Sequence, residues 1–212
     1  MSNLYTPTPD GENSKQLEEL LKTGMLPKDP IPVKIIGTKL LVFNKVHGSL
    51  LYGYNRFFGT PVGIRKPKSH IFDRPLELTP FEAFYLLKKK IVTVWEENSE
   101  SREQEYNESS FRDYANSSVK DFDNKYAIYE DLREKKYIPR SGQKFGAHFI
   151  AYEKGPGLGH SSFCIKVKSG SAAIISSLDV VTAGRLATSV KKNFVLANPV
   201  TKTYYKFNWF KP

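Results

Sequence analysis

Apolar and polar residues alternate through VKIIGTKLLVF, residues 33–43, and the alternation breaks at Gly37. This pattern predicts two strands turning at the glycine. Aromatics then crowd SLLYGYNRFFG, residues 49–59, predicting a short helix or turn that packs Leu51, Tyr54 and Phe57. In LTPFEAFYLLKKK, residues 78–90, the spacing becomes helical. Thr79 can cap this helix, Pro80 fits its first position, and Glu82 completes a capping box. Phe81, Tyr85 and Leu86 then face a core, while Lys88, Lys89 and Lys90 suit the negative end of the helix. IVTVW, residues 91–95, alternates as a strand.

Patterning also divides the chain. Residues 1–30 read as a polar tail with one short helix near Ser14 to Leu21, whose apolar face is Leu17, Leu20 and Leu21. Residues 31–95 form an N-terminal α/β domain. EENSESREQEYNESS, residues 96–110, lacks apolar periodicity and marks the boundary within a connecting polar and helical segment, 96–125. Helical spacing returns from Phe111, with Tyr114, Val119, Phe122, Tyr126 and Tyr129 in a stripe that reads as packing. Residues 126–212 read as a compact α/β domain. A strand begins near Tyr137, SGQKFG turns, and AHFIAY forms a second strand. Alternation puts Phe149 and Ala151 on one face of that strand, and His148, Ile150 and Tyr152 on the other. SFCIKV and AAIIS follow as strands, then SLDVVTAGRLATSVKK as a helix capped by Ser177, and NFVLA and TKTYYKFNWF close as strands around the loop NPVTK.

Composition narrows the function classes. Of 212 residues, 40% are apolar and 13% aromatic, which is the make-up of a folded chain. No run is long enough to cross a bilayer, and the polar N-terminus lacks the apolar segment of a secretory signal. Cys164 is the single cysteine, which excludes an internal disulfide and any multi-cysteine metal site. A cytoplasmic setting is expected. A net charge of +10 suits a polyanion such as RNA or DNA, or an acidic protein subunit.

Familiar catalytic motifs are absent. The four histidines, His47, His70, His148 and His160, form no HExxH or similar cluster, and the acidic residues form no magnesium-binding group, so neither metal nor cofactor is expected. GPGLGH, residues 155–160, lacks the lysine and hydroxyl of a phosphate-binding GxxxxGK[ST] loop. Tyr152 and His160 bracket this loop, so a hairpin-like return brings both to one end of a sheet. A histidine there can protonate a leaving oxygen near neutral pH. Tyrosine is a poor base at its usual pKa of about 10 unless a lysine favours the phenolate. Lys191 or Lys192 fits that role, while Lys144, Lys154 and Lys166 have ordinary turn or strand-surface readings. The same residues also admit a packing reading, with Tyr152 at the core edge and His160 in loop hydrogen bonding.

YAIYEDLREKKYIPRSGQKFGAHFIAYEKGPGLGHSSF, residues 126–163, with RLATSVKKNFVLA and the final TYYKFNWFKP, resembles the catalytic domain of the tRNA-splicing endonuclease family. SLLYGYNRFFGTPVG and LELTPFEAFYLL resemble its archaeal-type N-terminal domain. The resemblance implies a mixed α/β N-terminal domain followed by a compact nuclease domain with a mixed sheet flanked by helices. It implies catalytic roles for Tyr152, His160 and Lys192, and RNA contacts from Arg185, Lys191 and Trp209. Arg185 matches an arginine that holds an extruded base. A second such arginine is missing near Asn208 and Trp209. The implied activity is cleavage of precursor tRNA at exon–intron boundaries, leaving 2′,3′-cyclic phosphate and 5′-hydroxyl ends. Family members assemble as homo-oligomers or mixed subunits. NPVTK carries no Asp or Glu where some subunits place an acidic contact loop, which favours an α2β2 assembly with a second subunit, homo-oligomerisation being the alternative. The alternative is a mainly structural RNA-binding subunit of such an assembly.

Overall fold

In the computed structural model, which describes residues 19–65, 67–97, 103–168, 177–178, 181 and 193–207, the first alternating stretch folds as β1 (Ile31–Ile36) and β2 (Lys39–Val42). They pair antiparallel with Ile36 opposite Lys39, and Gly37 takes a left-handed φ of 60° in the turn. Ile31, Val33, Ile35, Leu40 and Val42 are buried, so the strands' apolar positions share one core face.

The chain divides into two units, Met1–Thr79 with Leu86–Glu105, and Pro80–Tyr85 with Tyr106–Pro212. In the first unit, α1 (Lys45–Tyr52) follows β2 and is capped by Asn44, whose Oδ1 accepts from the amides of Val46 at 2.9 Å and His47 at 3.2 Å. The aromatic stretch thus splits: its start closes α1, and Tyr54, Asn55 and Phe57 form a turn with positive φ. Leu51 and Phe57 are buried as expected, whereas Tyr54 is half-buried. The Tyr54 hydroxyl donates to the Leu21 carbonyl, and Arg56 donates to those of Leu50 at 3.0 Å and Gly24 at 2.7 Å. The bonds to Leu21 and Gly24 strap the helical residues 19–23 and the glycine after them to the turn; the proposed Ser14 cap and Leu17 lie outside the described residues.

The sheet continues through β3 (Thr60–Pro61), β4 (Leu76–Leu78), β5 (Val92–Glu97) and β6 (Glu103–Tyr106) in the order β3-β4-β2-β1-β5-β6. β5 runs parallel to β1. β6 is a difference from the sequence reading, which gave residues 96–110 no strand. Its segment, EQEY, is polar because an edge strand has only one neighbour and faces water.

In the second unit, α3 (Glu108–Ser118) starts at a reciprocal Asn107–Ser110 capping box, and α4 (Phe122–Glu134) follows a break at Asp121, whose φ is 59°. Phe111, Phe122, Tyr126 and Tyr129 of the predicted stripe are buried. They meet the first turns of α2 (Pro80–Lys88): Phe81 stacks on Phe122 at 5.2 Å, and Phe84 packs edge-on to Tyr126 at 4.6 Å. Glu82 is buried and its Oε1 accepts from Arg140 Nη1 at 3.0 Å, an ion pair between residues 58 apart.

A five-stranded mixed sheet lies beside these helices: β7 (Ile138–Ser141), β8 (Phe149–Tyr152), β9 (Phe163–Val167), β10 (Asn193–Asn198) and β11 (Thr203–Phe207), in the order β11-β10-β9-β8-β7. β9 and β10 run parallel and the other neighbours antiparallel. Phe149 faces Phe81 and Tyr129, whereas Ile150, Cys164, Phe194 and Leu196 form a core on the opposite face with Tyr152 against it. The chain is therefore α/β, with a mixed sheet flanked by helices in its second unit. The AAIIS strand lies outside the described residues, as does most of the 177–192 helix. No described helix is long and apolar enough to cross a membrane.

Candidate active site

Strand direction decides which residues meet. β8 ends and β9 begins at one end of the second sheet, because the two are antiparallel with Ala151 opposite Phe163. β7 starts at that end with Ile138 opposite Tyr152. Parallel pairing brings the start of β10 there too, with Asn193 opposite Phe163. One sheet end thus gathers Tyr152, the loop 153–162 that carries His160, and Asn193.

Tyr152 is half-buried, its ring leaning on the core cluster of Ile150, Cys164 and Phe194. Packing of the ring and exposure of the strand end are compatible, so the core-edge reading describes how Tyr152 is held. His160 is exposed and has no hydrogen-bond partner among the described residues. The loop itself is ordered by a turn in which Leu158 N donates to Gly155 O at 3.2 Å. Gly155 and Gly157 take φ of 111° and 86°, values that a side chain would strain. Around Gly157 and Gly159 a Cβ would meet nothing within 4 Å, so this part of the loop stands open.

Ser162 was not singled out by the sequence, yet it ties this end together. Its amide donates to Ala151 O at 3.0 Å, and its hydroxyl donates to Glu153 Oε1 at 3.0 Å. Its carbonyl accepts from the Asn193 amide at 3.2 Å and from Asn193 Nδ2 at 3.4 Å. The available signal was the second serine of the His-Ser-Ser run, just before the strand.

The other histidines have different settings. His148 Nδ1 accepts from the Val167 amide at 2.9 Å, which fixes its neutral tautomer. Burial, reinforced by Lys125 and Lys166 and opposed by Asp121, lowers its pKa. Burial likewise lowers that of His47, which lies on α1. His70 packs edge-on to Tyr54 with centroids 4.9 Å apart. Burial, and for Tyr126 the Glu130 carboxylate, pushes the Tyr126 and Tyr129 hydroxyls far above the usual range, in keeping with packing roles. Lys192, Lys191, Arg185 and Trp209 lie outside the described residues. So the structure brings Tyr152 and the loop of His160 to one sheet end and describes none of those four.

Residues 122–207 match the tRNA intron endonuclease catalytic C-terminal domain, and residues 33–106 match the tRNA intron endonuclease N-terminal domain. The chain belongs to the tRNA-splicing endonuclease family. A tRNA-splicing endonuclease of Hyperthermus butylicus is 35% identical over 184 residues, covering 84% of this chain and 97% of that protein. Those of Saccharolobus islandicus strain Y.N.15.51 and Saccharolobus solfataricus are 37% and 36% identical over 182 residues, with the same coverage of each chain. Within this family match, the sheet end with Tyr152, His160 and Asn193 lies inside the catalytic-domain segment.

Proposed function

We propose that this chain is a catalytic subunit of an endoribonuclease that cuts precursor tRNA at its exon–intron boundaries. The observation that carries the reading is the shared sheet end: Tyr152 closes β8, His160 sits in the open loop, and Asn193, which follows Lys192 in the chain, opens β10 opposite Phe163. In the proposed reaction Tyr152 removes the proton of the ribose 2′-hydroxyl beside the scissile phosphate. The 2′-oxygen attacks phosphorus, a P–O2′ bond forms, and the P–O5′ bond breaks in line. His160 gives its proton to the departing 5′-oxygen. Lys192 stabilises the negative phosphorane and favours the tyrosine phenolate. The products are a 2′,3′-cyclic phosphate and a 5′-hydroxyl. Because the RNA supplies the nucleophile, this chemistry requires neither a protein nucleophile nor a divalent ion.

Arg185, Lys191 and Trp209 are proposed to hold the RNA, by charge for the first two and by stacking of an unpaired base on the indole for the third. The loop after β10 favours a mixed α2β2 assembly. Asn198 Oδ1 accepts from Val200 N at 2.9 Å and Thr201 N at 3.3 Å, holding a tight turn that exposes Val200 and presents no carboxylate. A second subunit then supplies the complementary acidic feature.

The test is cleavage of an intron-containing tRNA in EDTA by the assembled enzyme, reading cyclic-phosphate ends, with His160→Ala as comparison. Loss of cleavage by at least two orders of magnitude, with RNA still bound, is expected when a general acid is removed. Unchanged cleavage by the variant refutes the catalytic role and leaves the RNA-binding subunit reading in its place.

A further inference from the structure

The four hydrogen bonds of Ser162 have a consequence for the loop beside it. A ten-residue stretch from Glu153 to Ser162 carries His160, and both of its ends are fixed. At one end stands Tyr152, held by its ring against Ile150 and Cys164. The loop between has glycines whose surroundings leave it room to move. A loop of that kind holds a histidine in place only if its two ends are closed against each other. The Ser162 amide on Ala151 O begins that closure, and the Ser162 hydroxyl on the Glu153 carboxylate adds a bond to a charged acceptor between the loop's first and last residues. The Ser162 carbonyl, accepting twice from Asn193, extends the same anchorage to β10.

We infer that Ser162 is a positioning residue, whose bond to Glu153 sets the opening of the 153–162 loop and thereby the place of His160 relative to Tyr152. It touches neither substrate nor the reacting atoms. It acts by restricting the loop, so its loss weakens the chemical step more than RNA binding. This inference rests on the proposed reaction, because only there do Tyr152 and His160 act on one phosphate. Both residues are away from the catalytic pair in role: Glu153 is exposed, and its carboxylate serves as acceptor.

The experiment is single-turnover cleavage of intron-containing tRNA by the assembled enzyme with Ser162→Ala, Ser162→Thr and Glu153→Ala, alongside His160→Ala. Ser162→Ala is expected to lower the cleavage rate constant about tenfold, since small misplacements of a catalytic group cost up to about a hundredfold. The RNA concentration for half-maximal rate should stay within about twofold. Ser162→Thr keeps the hydroxyl and should recover most of the rate. The pH profile of Ser162→Ala should keep its limbs where the wild type has them, because the acid and base are unchanged. Glu153→Ala, at an exposed site, should show the same loss and carries the test if Ser162→Ala fails to fold. Wild-type rates for Ser162→Ala and Glu153→Ala, or a loss confined to RNA binding, overturn the inference. Loss of cleavage in His160→Ala with those wild-type rates leaves the proposed reaction standing, whereas unchanged cleavage in His160→Ala removes its foundation.

Discussion

Arg140 stands against a buried carboxylate, and replacing it with methionine tests how the second unit is held together. Arg140 Nη1 lies 3.0 Å from Glu82 Oε1, and the two side chains are 16% and 2% exposed. At that separation an effective dielectric of about 20 gives an attraction of about 5 kcal/mol. Desolvation offsets much of this when both charges are present, but Arg140→Met removes only the positive one. The Glu82 charge then stays in a site that excludes water. Breaking a buried pair from one side costs about 3–5 kcal/mol. Glu82→Gln removes the charge and keeps an oxygen acceptor, so it should cost less, about 1–3 kcal/mol. Replacing both by methionine should return stability to within about 2 kcal/mol of the parent. Hydrogen exchange at the α4 amides reads the second unit directly, and Arg140→Met should speed the slowest of them by about two to three decades. A change under about 0.5 kcal/mol, as for an exposed pair, would refute the assignment of this ion pair to the core.

Other outcomes follow from the same structure. His148 has a folded pKa below its ordinary 6.5, so the folded state binds fewer protons than the unfolded one. Its contribution to stability is full above that value and is lost as pH falls below it; His148→Asn, which keeps an acceptor near the Nδ1 position, should make urea midpoints between pH 7.5 and 5 less acid-sensitive, and equal slopes would contradict this. Gly24 takes a φ of 70°, and a Cβ there would lie 2.4 Å from Tyr54 Cδ1. Gly24→Ala should therefore loosen residues 19–23, with a cost of about 1–3 kcal/mol read as faster exchange and earlier proteolysis of that strap, and unaltered protection would refute the steric argument.

Much of the fold was legible because the signals were local. Alternation marked β1, β2, β5 and the strands of the second sheet, and Pro80 after Thr79 marked the start of α2. What escaped was set by distance. β6 is polar because it is an edge, so periodicity cannot reveal it. Local pattern reads Glu82 as a capping-box residue, whereas its ion pair depends on Arg140, 58 residues away. Tyr54 and Phe57 adopt left-handed backbone that their residue types do not announce, whereas Asn55 and Asp121 belong to types enriched there. At the site, the glycine-rich loop before a strand made Tyr152 and His160 candidates, with a packing reading of both beside it. Asn193 did not show, because its bonds to Ser162 appear only when β10 lies parallel to β9, and the Ser162 bond to Glu153 appears only once β9 returns beside β8.

The central claim is that the substrate's own sugar hydroxyl breaks its neighbouring phosphodiester. A precursor tRNA carrying one 2′-deoxy nucleotide immediately 5′ to a single splice site, given to the assembled enzyme in EDTA, tests this most directly. Binding should be unchanged, with no cut at the deoxy site and normal cyclic-phosphate formation at the other boundary. Cleavage at the deoxy site at the normal rate would contradict the claim.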